Sequence, residues 1–145
     1  MLFPHFFNLL CQNIGIEAMK ILLIDDDSLF RLTAKTFLSK MGHEIIVAKN
    51  GLFGIHLALT NTPDLILSDY RMPGMNGKEI FLKLKANPKT QEIPFVIISG
   101  DFSNLEITKL LAMGVFDVLE KPIDFAALQN RIVNQYSNFI LDGKN

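Results

Sequence analysis

Five short apolar runs alternate along this chain with segments of helical periodicity, and this alternation most constrains the fold. The runs predict strands at residues 21–24, 44–48, 65–68, 95–98 and 116–119. Helices are predicted from about residue 28, from residue 50 until before Pro63, over residues 80–84, over about 104–113, and over 125–136. A strand followed by a helix, five times over, predicts an α/β fold with a parallel sheet covered by helices on both faces.

Composition and charge exclude several classes of protein. A chain of 145 residues with 49% hydrophobic and 20% charged residues has the make-up of one globular domain. The net charge of -1 offers no basic surface for nucleic acid, and no apolar run reaches the roughly 18 residues that span a bilayer. Cys11 is the single cysteine, which is typical of a reducing compartment. We therefore expect a cytoplasmic protein without nucleic-acid binding or membrane insertion.

Residues 1–18 form an apolar and aromatic extension ahead of the first predicted strand. No Lys or Arg precedes Lys20, so the segment lacks the positive start of a secretory signal. Met19 followed by Lys20 would itself be a natural beginning. Two interpretations stay open: a start assigned too far upstream, or a short amphipathic segment that docks on the domain or on a partner. In both, the folded domain covers residues 19–145.

Polar side chains follow the predicted strands at four places along the chain. They are Asp25, Asp26 and Asp27 after the first strand, Asp69 after the third, Ser99 after the fourth and Lys121 after the fifth. Because the carboxyl ends of parallel strands lie at one edge of a sheet, these groups should converge there. Acids and a lysine at one edge suit a divalent cation and a phosphoryl group. Taken singly, Asp27 would be a helix N-cap and Lys121 a solvated surface cation.

Four motifs in this order resemble those of the response regulator receiver domains of two-component signalling, of the chemotaxis-regulator type. They are Ile24-Asp25-Asp26-Asp27, the run from Ser68 to Gly77 with the sequence SDYRMPGMNG, Ile98-Ser99-Gly100 and Glu120-Lys121-Pro122. The resemblance implies a doubly wound, flavodoxin-like fold with strand order 2-1-3-4-5 and five helices. It covers the chain from about residue 19 onward.

The same resemblance implies a role for each polar residue at the strand ends. Asp69 would accept the phosphoryl group, with Ser99 and Lys121 contacting phosphoryl oxygens. A magnesium ion, Mg2+, would be held by Asp26, Asp69 and the backbone carbonyl of Arg71, and by Asp25 through water. The peptide bond between Lys121 and Pro122 is expected to be cis. Gly100, next to Ser99, would leave the site open to a phosphodonor or a phosphatase.

One position departs from the family pattern. Receiver domains carry an aromatic side chain three residues before the lysine, where it rotates upon phosphorylation, but this chain has Val118. Valine has a stiff χ1 angle and no ring to rotate. Phe116, two residues earlier and expected on the same face of the fifth strand, would substitute only with a shift of the backbone. The fourth predicted helix, around Leu110, is expected to change most between phosphorylation states.

The resulting hypothesis is a stand-alone receiver that is phosphorylated on Asp69 and acts by binding another protein. Its partners would be a sensor histidine kinase or a histidine phosphotransfer protein, and a downstream target protein. We expect no output domain after about Tyr136 and no enzymatic activity beyond its own phosphorylation and dephosphorylation. Alternatives are a phosphorelay shuttle, a docking module independent of phosphorylation, and a phosphatase of the haloacid dehalogenase type that would use Asp25 and Asp27.

Overall fold

The computed structural model describes residues 18–136 and 138–140. Its five parallel strands are β1 (Lys20–Ile24), β2 (Glu44–Ala48), β3 (Leu65–Asp69), β4 (Phe95–Ser99) and β5 (Asp117–Glu120). They form one sheet in the order β2-β1-β3-β4-β5. The predicted fold class and strand order are therefore confirmed.

Helices connect the strands at nearly the predicted positions. They are α1 (Ser28–Lys40), α2 (Gly51–Asn61), α3 (Gly77–Lys85), α4 (Asn104–Ala112) and α5 (Phe125–Arg131), the last continued by a π-helical turn at Ile132–Tyr136. Each helix begins at a polar cap: Asp27, Asn50, Asn76, Ser103 and Asp124 accept hydrogen bonds from backbone N–H groups of the first turn. These caps fix where each helix starts and therefore which strand-end residues stay outside it.

Two apolar cores lie on opposite sides of the sheet. In β1, Ile21 and Leu23 pack with one core, whereas Leu22 and Ile24 pack with the other. All four are fully buried. Successive side chains of a strand point to opposite faces, so a strand that is apolar at every position needs a cover on both sides. This explains why the central strands lack polar alternation.

The N-terminal extension lies outside the described residues, apart from Ala18, so both interpretations of it stay open. Within the described residues, no helix has the length and apolar content needed to cross a membrane.

His43 is held neutral in the interior between the start of β1 and α5. Its Nδ1 accepts a hydrogen bond from the Met19 N–H at 3.0 Å, so its Nε2 is the nitrogen that donates to Gln129 Oε1, also at 3.0 Å. Burial lowers the pKa of His43, and the Gln129 hydrogen bond offsets this only in part. The unfolded chain will therefore bind a proton at His43 before the folded chain does.

We expect His43 to reduce stability as the pH falls below about 6.5, the ordinary pKa of histidine. Below that value the unfolded state takes up a proton that the folded state excludes, so the free energy of unfolding decreases. Denaturant titrations between pH 7 and pH 5 should show this slope and its loss in His43→Gln. His56→Gln, at an exposed position of α2, is the control. Equal slopes in wild type and His43→Gln would contradict the expectation.

Candidate functional site

Three carboxylates meet at the carboxyl edge of the sheet. One oxygen each of Asp25, Asp26 and Asp69 lies within 4.8 Å of the other two. Asp25 is fully buried and Asp69 is 7% exposed, whereas Asp26 is exposed. β1 and β3 are neighbouring strands that end at the same level, because Ile24 pairs with Ser68. The acids therefore converge because Asp69 ends β3 and because Asp25 and Asp26 are the two residues that follow β1.

The Lys121 side chain reaches this cluster from the loop after β5. Its Nζ lies 2.8 Å from Asp25 Oδ2 and 3.6 Å from Asp69 Oδ1. Burial alone would lower the pKa of Lys121, but the hydrogen bond and charge of Asp25, together with the charge of Asp69, raise it above its usual value. The ammonium is therefore charged at neutral pH. The peptide bond between Lys121 and Pro122 is cis, as predicted.

The backbone and side chain of Asp25 are both fixed by hydrogen bonds. Its Oδ1 accepts from the Asp27 N–H at 2.9 Å, and its carbonyl accepts from Arg31 Nη1 at 2.7 Å. The Asp25 N–H donates to the Ala48 carbonyl at 3.1 Å, which extends the β1–β2 pairing by one residue. The Asp25 carboxylate is thus a rigid element that orients the Lys121 ammonium.

Negative charge at the site exceeds the positive charge that balances it. Burial, together with the charges of Asp25 and Asp26, raises the pKa of Asp69 to about 6 from an ordinary 3.8, against the opposing effect of Lys121. Three carboxylates therefore face a single ammonium. Such a cluster favours an additional cation among its oxygens.

Ser99 and Arg71 are two further residues predicted to belong to the site, and their surroundings differ from each other. Ser99 ends β4 and is 3% exposed, one residue beyond Ile98, the partner of Asp69 in the β3–β4 pairing. Its carbonyl accepts a hydrogen bond from the Lys121 N–H at 2.9 Å, so the backbones that carry the two residues are joined. The guanidinium of Arg71 points elsewhere, with Nη2 3.6 Å from Asp101 Oδ2. The metal-binding role of the Arg71 carbonyl and the role of the Ser99 hydroxyl stay predictions.

Asp27 does not join the acidic cluster. Its Oδ1 accepts hydrogen bonds from the N–H groups of Leu29 and Phe30, at 2.9 and 3.3 Å, and so caps α1. A phosphatase of the haloacid dehalogenase type would need this carboxylate in the site. In the structure the Asp27 carboxylate caps α1 instead.

The expectation that Phe116 shares a face with Val118 is wrong. β5 begins only at Asp117, so the alternation of a strand does not extend to Phe116. The Phe116 ring instead packs in the opposite core against Tyr136, with ring centroids 5.3 Å apart. Val118 packs with the other core, to which Tyr70 and Phe102 also belong. Phe116 therefore cannot replace the missing aromatic side chain next to the site.

Gly77, the first residue of α3, allows the β3–α3 loop to approach the acid-bearing strand. A Cβ atom at Gly77 would lie 2.8 Å from the Asp69 carbonyl oxygen and 3.1 Å from Tyr70 Cα. The Gly77 N–H donates to the Tyr70 carbonyl at 2.8 Å. Both neighbours are backbone atoms, so a side chain here would have to displace the strand end that carries Asp69.

We expect Gly77→Ala to lower the free energy of unfolding by about 2 kcal/mol, in the range of strain from overpacking. Chemical denaturation would measure this loss. Gly100→Ala is the matched control, because its Cβ would meet only Lys121 Cβ at 3.8 Å. Equal stability of the two variants would contradict the proposed contact.

Several residues of the site are not evident from the sequence. Phe30 is an apolar residue of the first predicted helix, yet the centroid of its ring lies 4.4 Å from Lys121 Nζ. Arg31 is one of several charged residues on that helix, and its contact with the Asp25 carbonyl follows from helix placement. Gly77 is the exception, because a glycine in the loop that leads into a predicted helix suggests a close backbone approach.

Known proteins resemble this chain in sequence along most of its length. Residues 21–133 match the response regulator receiver domain. Protein PilH of Pseudomonas aeruginosa is 34% identical over 78% of this chain and 93% of its own length. A chemotaxis protein CheY homolog of Campylobacter jejuni is 30% identical, over 79% and 89%.

A solved structure has the same fold. Chemotaxis protein CheY4 of Vibrio cholerae superposes with a TM-score of 0.75 at 24% identity, over 80% of this chain and 97% of that one. This likeness agrees with the strand order, and the family match agrees with the motifs at the strand ends. The chain belongs to the response regulator receiver domain family.

Proposed function

We propose that this chain is a stand-alone cytoplasmic receiver that accepts a phosphoryl group on Asp69 and signals by binding another protein. The donor would be a sensor histidine kinase or a histidine phosphotransfer protein. The observation that carries the proposal is the geometry around Asp69. Its carboxylate ends a buried strand, lies in a cluster with Asp25 and Asp26, and has the Lys121 ammonium 3.6 Å away.

The donor atoms of the cluster fit magnesium. All three side chains offer oxygen, the ligand that a hard divalent cation prefers, and an incomplete protein shell suits an ion that keeps several waters. Burial and the charges of Asp25 and Asp26 raise the pKa of Asp69, and Lys121 offsets this only in part. Asp26 and Asp69 would hold the ion directly and Asp25 through water, with the Arg71 carbonyl as a further ligand. When bound, the ion neutralises charge on the transferring phosphoryl group.

Asp69, Lys121 and Ser99 would each have a separate role in phosphoryl transfer. An ionised Asp69 oxygen attacks phosphorus and forms the new P–O bond, while the P–N bond to the donor histidine breaks and its electron pair returns to the imidazole. With a pKa of about 6, Asp69 is mostly ionised at pH 7. The Lys121 ammonium would bind one phosphoryl oxygen, and the Ser99 hydroxyl would donate to another. Gly100 is exposed and leaves the approach open.

A groove beside Lys121 supports a protein as the donor. It has a volume of about 540 Å³ and is lined by Asp27, Leu29, Phe30, Thr33, Lys121, Pro122, Ile123 and Phe125. Leu29 and the neighbouring Leu32 on α1 are 69% and 64% exposed. Exposed apolar side chains next to a reactive carboxylate suit a helical partner that brings its phosphohistidine to Asp69.

The output of the domain has two candidate forms. A diffusible regulator would bind a target through the surface of α4, β5 and α5, whereas a phosphorelay shuttle would pass the group to a second histidine protein. Phosphoryl transfer from the labelled chain to histidine proteins of its own cell would separate the two. A docking module that does not use phosphate is less well supported, because Asp69, Lys121 and the acid cluster are all in place.

Treatment with acetyl phosphate in magnesium tests the proposal. The wild-type chain should gain the mass of one phosphoryl group, and Asp69→Asn should gain none. Asp101→Asn, which changes an exposed carboxylate in the β4–α4 loop, should be phosphorylated as the wild type is. A wild-type chain that gains no mass with acetyl phosphate and shows no change with beryllofluoride would refute the proposed function.

A further inference from the structure

The Lys121 ammonium touches an aromatic ring as well as two carboxylates. Its Nζ lies 4.4 Å from the centroid of the Phe30 ring, 2.8 Å from Asp25 Oδ2 and 3.6 Å from Asp69 Oδ1. An ammonium within about 6 Å of a ring face is attracted by the negative potential of that face. The cation is therefore held between the acid cluster and the start of α1.

Phe30 is itself held firmly in place. It lies in the first turn of α1, where its N–H donates to Asp27 Oδ1 at 3.3 Å. Its ring packs against Phe125 of α5, with centroids 5.9 Å apart. Asp25 and Asp26 of the cluster are thus followed, after Asp27, by the helical turn that carries the Phe30 ring. Any movement of that turn would move the Asp27 cap and the ring together.

A long lysine side chain needs such a constraint, because its ammonium can adopt several positions at the edge of the site. The Lys121 side chain is 25% exposed, and lysine loses more rotamer entropy than most residues when it is fixed. Asp25 draws the ammonium to one side. The Phe30 ring, with its centroid 4.4 Å from Nζ, is a second contact that limits where the ammonium can lie.

We propose that Phe30 is a positioning residue for phosphoryl transfer. Its ring keeps the Lys121 ammonium directed at the position that a phosphoryl oxygen on Asp69 would occupy. The inference rests on the proposed function of Asp69 and adds a residue outside the polar motifs. Within the site Phe30 contacts the Lys121 ammonium, and it acts on the transferring group through Lys121.

The competing explanation is that Phe30 is only a packing residue, and α1 offers a matched control for it. Phe37 packs against the same Phe125 ring, with centroids 5.5 Å apart. It belongs to the same core, at a position seven residues further along the helix. A Phe→Leu change at either position removes aromatic packing against Phe125, whereas the ring that faces Lys121 is that of Phe30.

The test compares Phe30→Leu, Phe37→Leu and Phe30→Tyr in the full chain. We expect Phe30→Leu to slow phosphorylation by acetyl phosphate about threefold to tenfold, in line with a partly exposed cation–π contact. The phosphorylation rate of Phe37→Leu should stay within about twofold of that of wild type. Phe30→Tyr keeps the ring and should therefore react at the wild-type rate. The second measurement is the Lys121 side-chain NMR signal without phosphodonor, which the ring current shifts. That shift should disappear in Phe30→Leu alone.

A wild-type rate in Phe30→Leu, or an equal loss of rate in Phe37→Leu, would overturn the positioning role. An unchanged Lys121 signal in Phe30→Leu would overturn the contact itself. If the wild-type chain gains no phosphoryl mass, the proposed function fails and the positioning role fails with it. The Lys121 signal would still decide whether ring and ammonium meet, so the two failures are distinguishable.

Discussion

Replacing Asp69 by asparagine should raise the free energy of unfolding of the metal-free protein by about 2 kcal/mol at pH 7. Burial and the charges of Asp25 and Asp26 raise the pKa of Asp69 to about 6, so its charged form is disfavoured in the fold. A shift of this size corresponds to about 3 kcal/mol, and solvent at the edge of the site reduces it to the smaller figure. An amide keeps the shape of the side chain without the charge.

The effect of Asp69 on stability should depend on pH in a defined direction. Between its unfolded pKa of 3.8 and its folded pKa of about 6, the folded state binds more protons than the unfolded state. The Asp69 contribution therefore decreases stability as the pH rises from about 4 to about 7. His43 acts with the opposite sign over part of this range. Asp69→Asn should consequently lose stability more steeply than wild type as the pH falls from 7 to 5.

Urea titrations of wild type and Asp69→Asn, without divalent ions and then with magnesium, check this expectation. Magnesium should stabilise the wild type and have a smaller effect on the variant, because binding to the folded state alone raises its stability. Asp101→Asn controls for the loss of a carboxylate at an exposed position. A variant less stable than wild type at pH 7 would show that the negative charge of the cluster is compensated.

Replacing Lys121 by methionine should slow phosphorylation of Asp69 about a hundredfold, the usual loss when one preorganised group facing a developing charge is removed. The change also leaves the buried Asp25 carboxylate without the ammonium 2.8 Å away. Breaking a buried pair in this way costs about 3 kcal/mol. We therefore expect slow phosphorylation together with reduced stability in the absence of magnesium.

Lys85→Met is a matched control for this variant. Lys85 Nζ also lies over a phenylalanine ring, 5.2 Å from the centroid of Phe81, but it belongs to α3. Among the described residues, the ion pairs with the acid cluster are those of Lys121. The loss of Lys85 should leave the rate with acetyl phosphate within about twofold of wild type. If Lys121→Met reacts as fast as Lys85→Met, the ammonium has no role in the transfer.

The fold and the main polar residues could be predicted because they depend on local rules. An apolar run of strand length that ends in a carboxylate places that carboxylate at the carboxyl edge of a parallel sheet, and this holds for Asp25 and Asp69 alike. Caps such as Asp27 and Asn50 are equally local, because each bonds backbone N–H groups two or three residues away.

Other features could not be predicted because they depend on tertiary packing. Side chains alternate between the two faces of a sheet only within a strand. Phe116 precedes the first residue of β5, so the alternation does not determine on which face of the sheet its ring lies. The sequence marks Phe30 only as an apolar residue of the first predicted helix, and nothing in that pattern indicated that a lysine 91 positions later would lie over its ring. The buried contact between His43 and Gln129 likewise joins residues 86 positions apart.

The two tyrosines of the chain lie on opposite sides of the sheet, and the sequence contains no tryptophan. Tyr136 is buried and donates its hydroxyl to Asp117 Oδ2 at 2.7 Å, and a carboxylate so close quenches the fluorescence of a phenol. Tyr70 directly follows the acceptor aspartate and stacks edge-on against Phe102, with centroids 4.9 Å apart. The intrinsic ultraviolet emission of this protein should thus come mainly from a single ring beside the acceptor. An optical titration can follow ion or phosphodonor binding there without an attached dye.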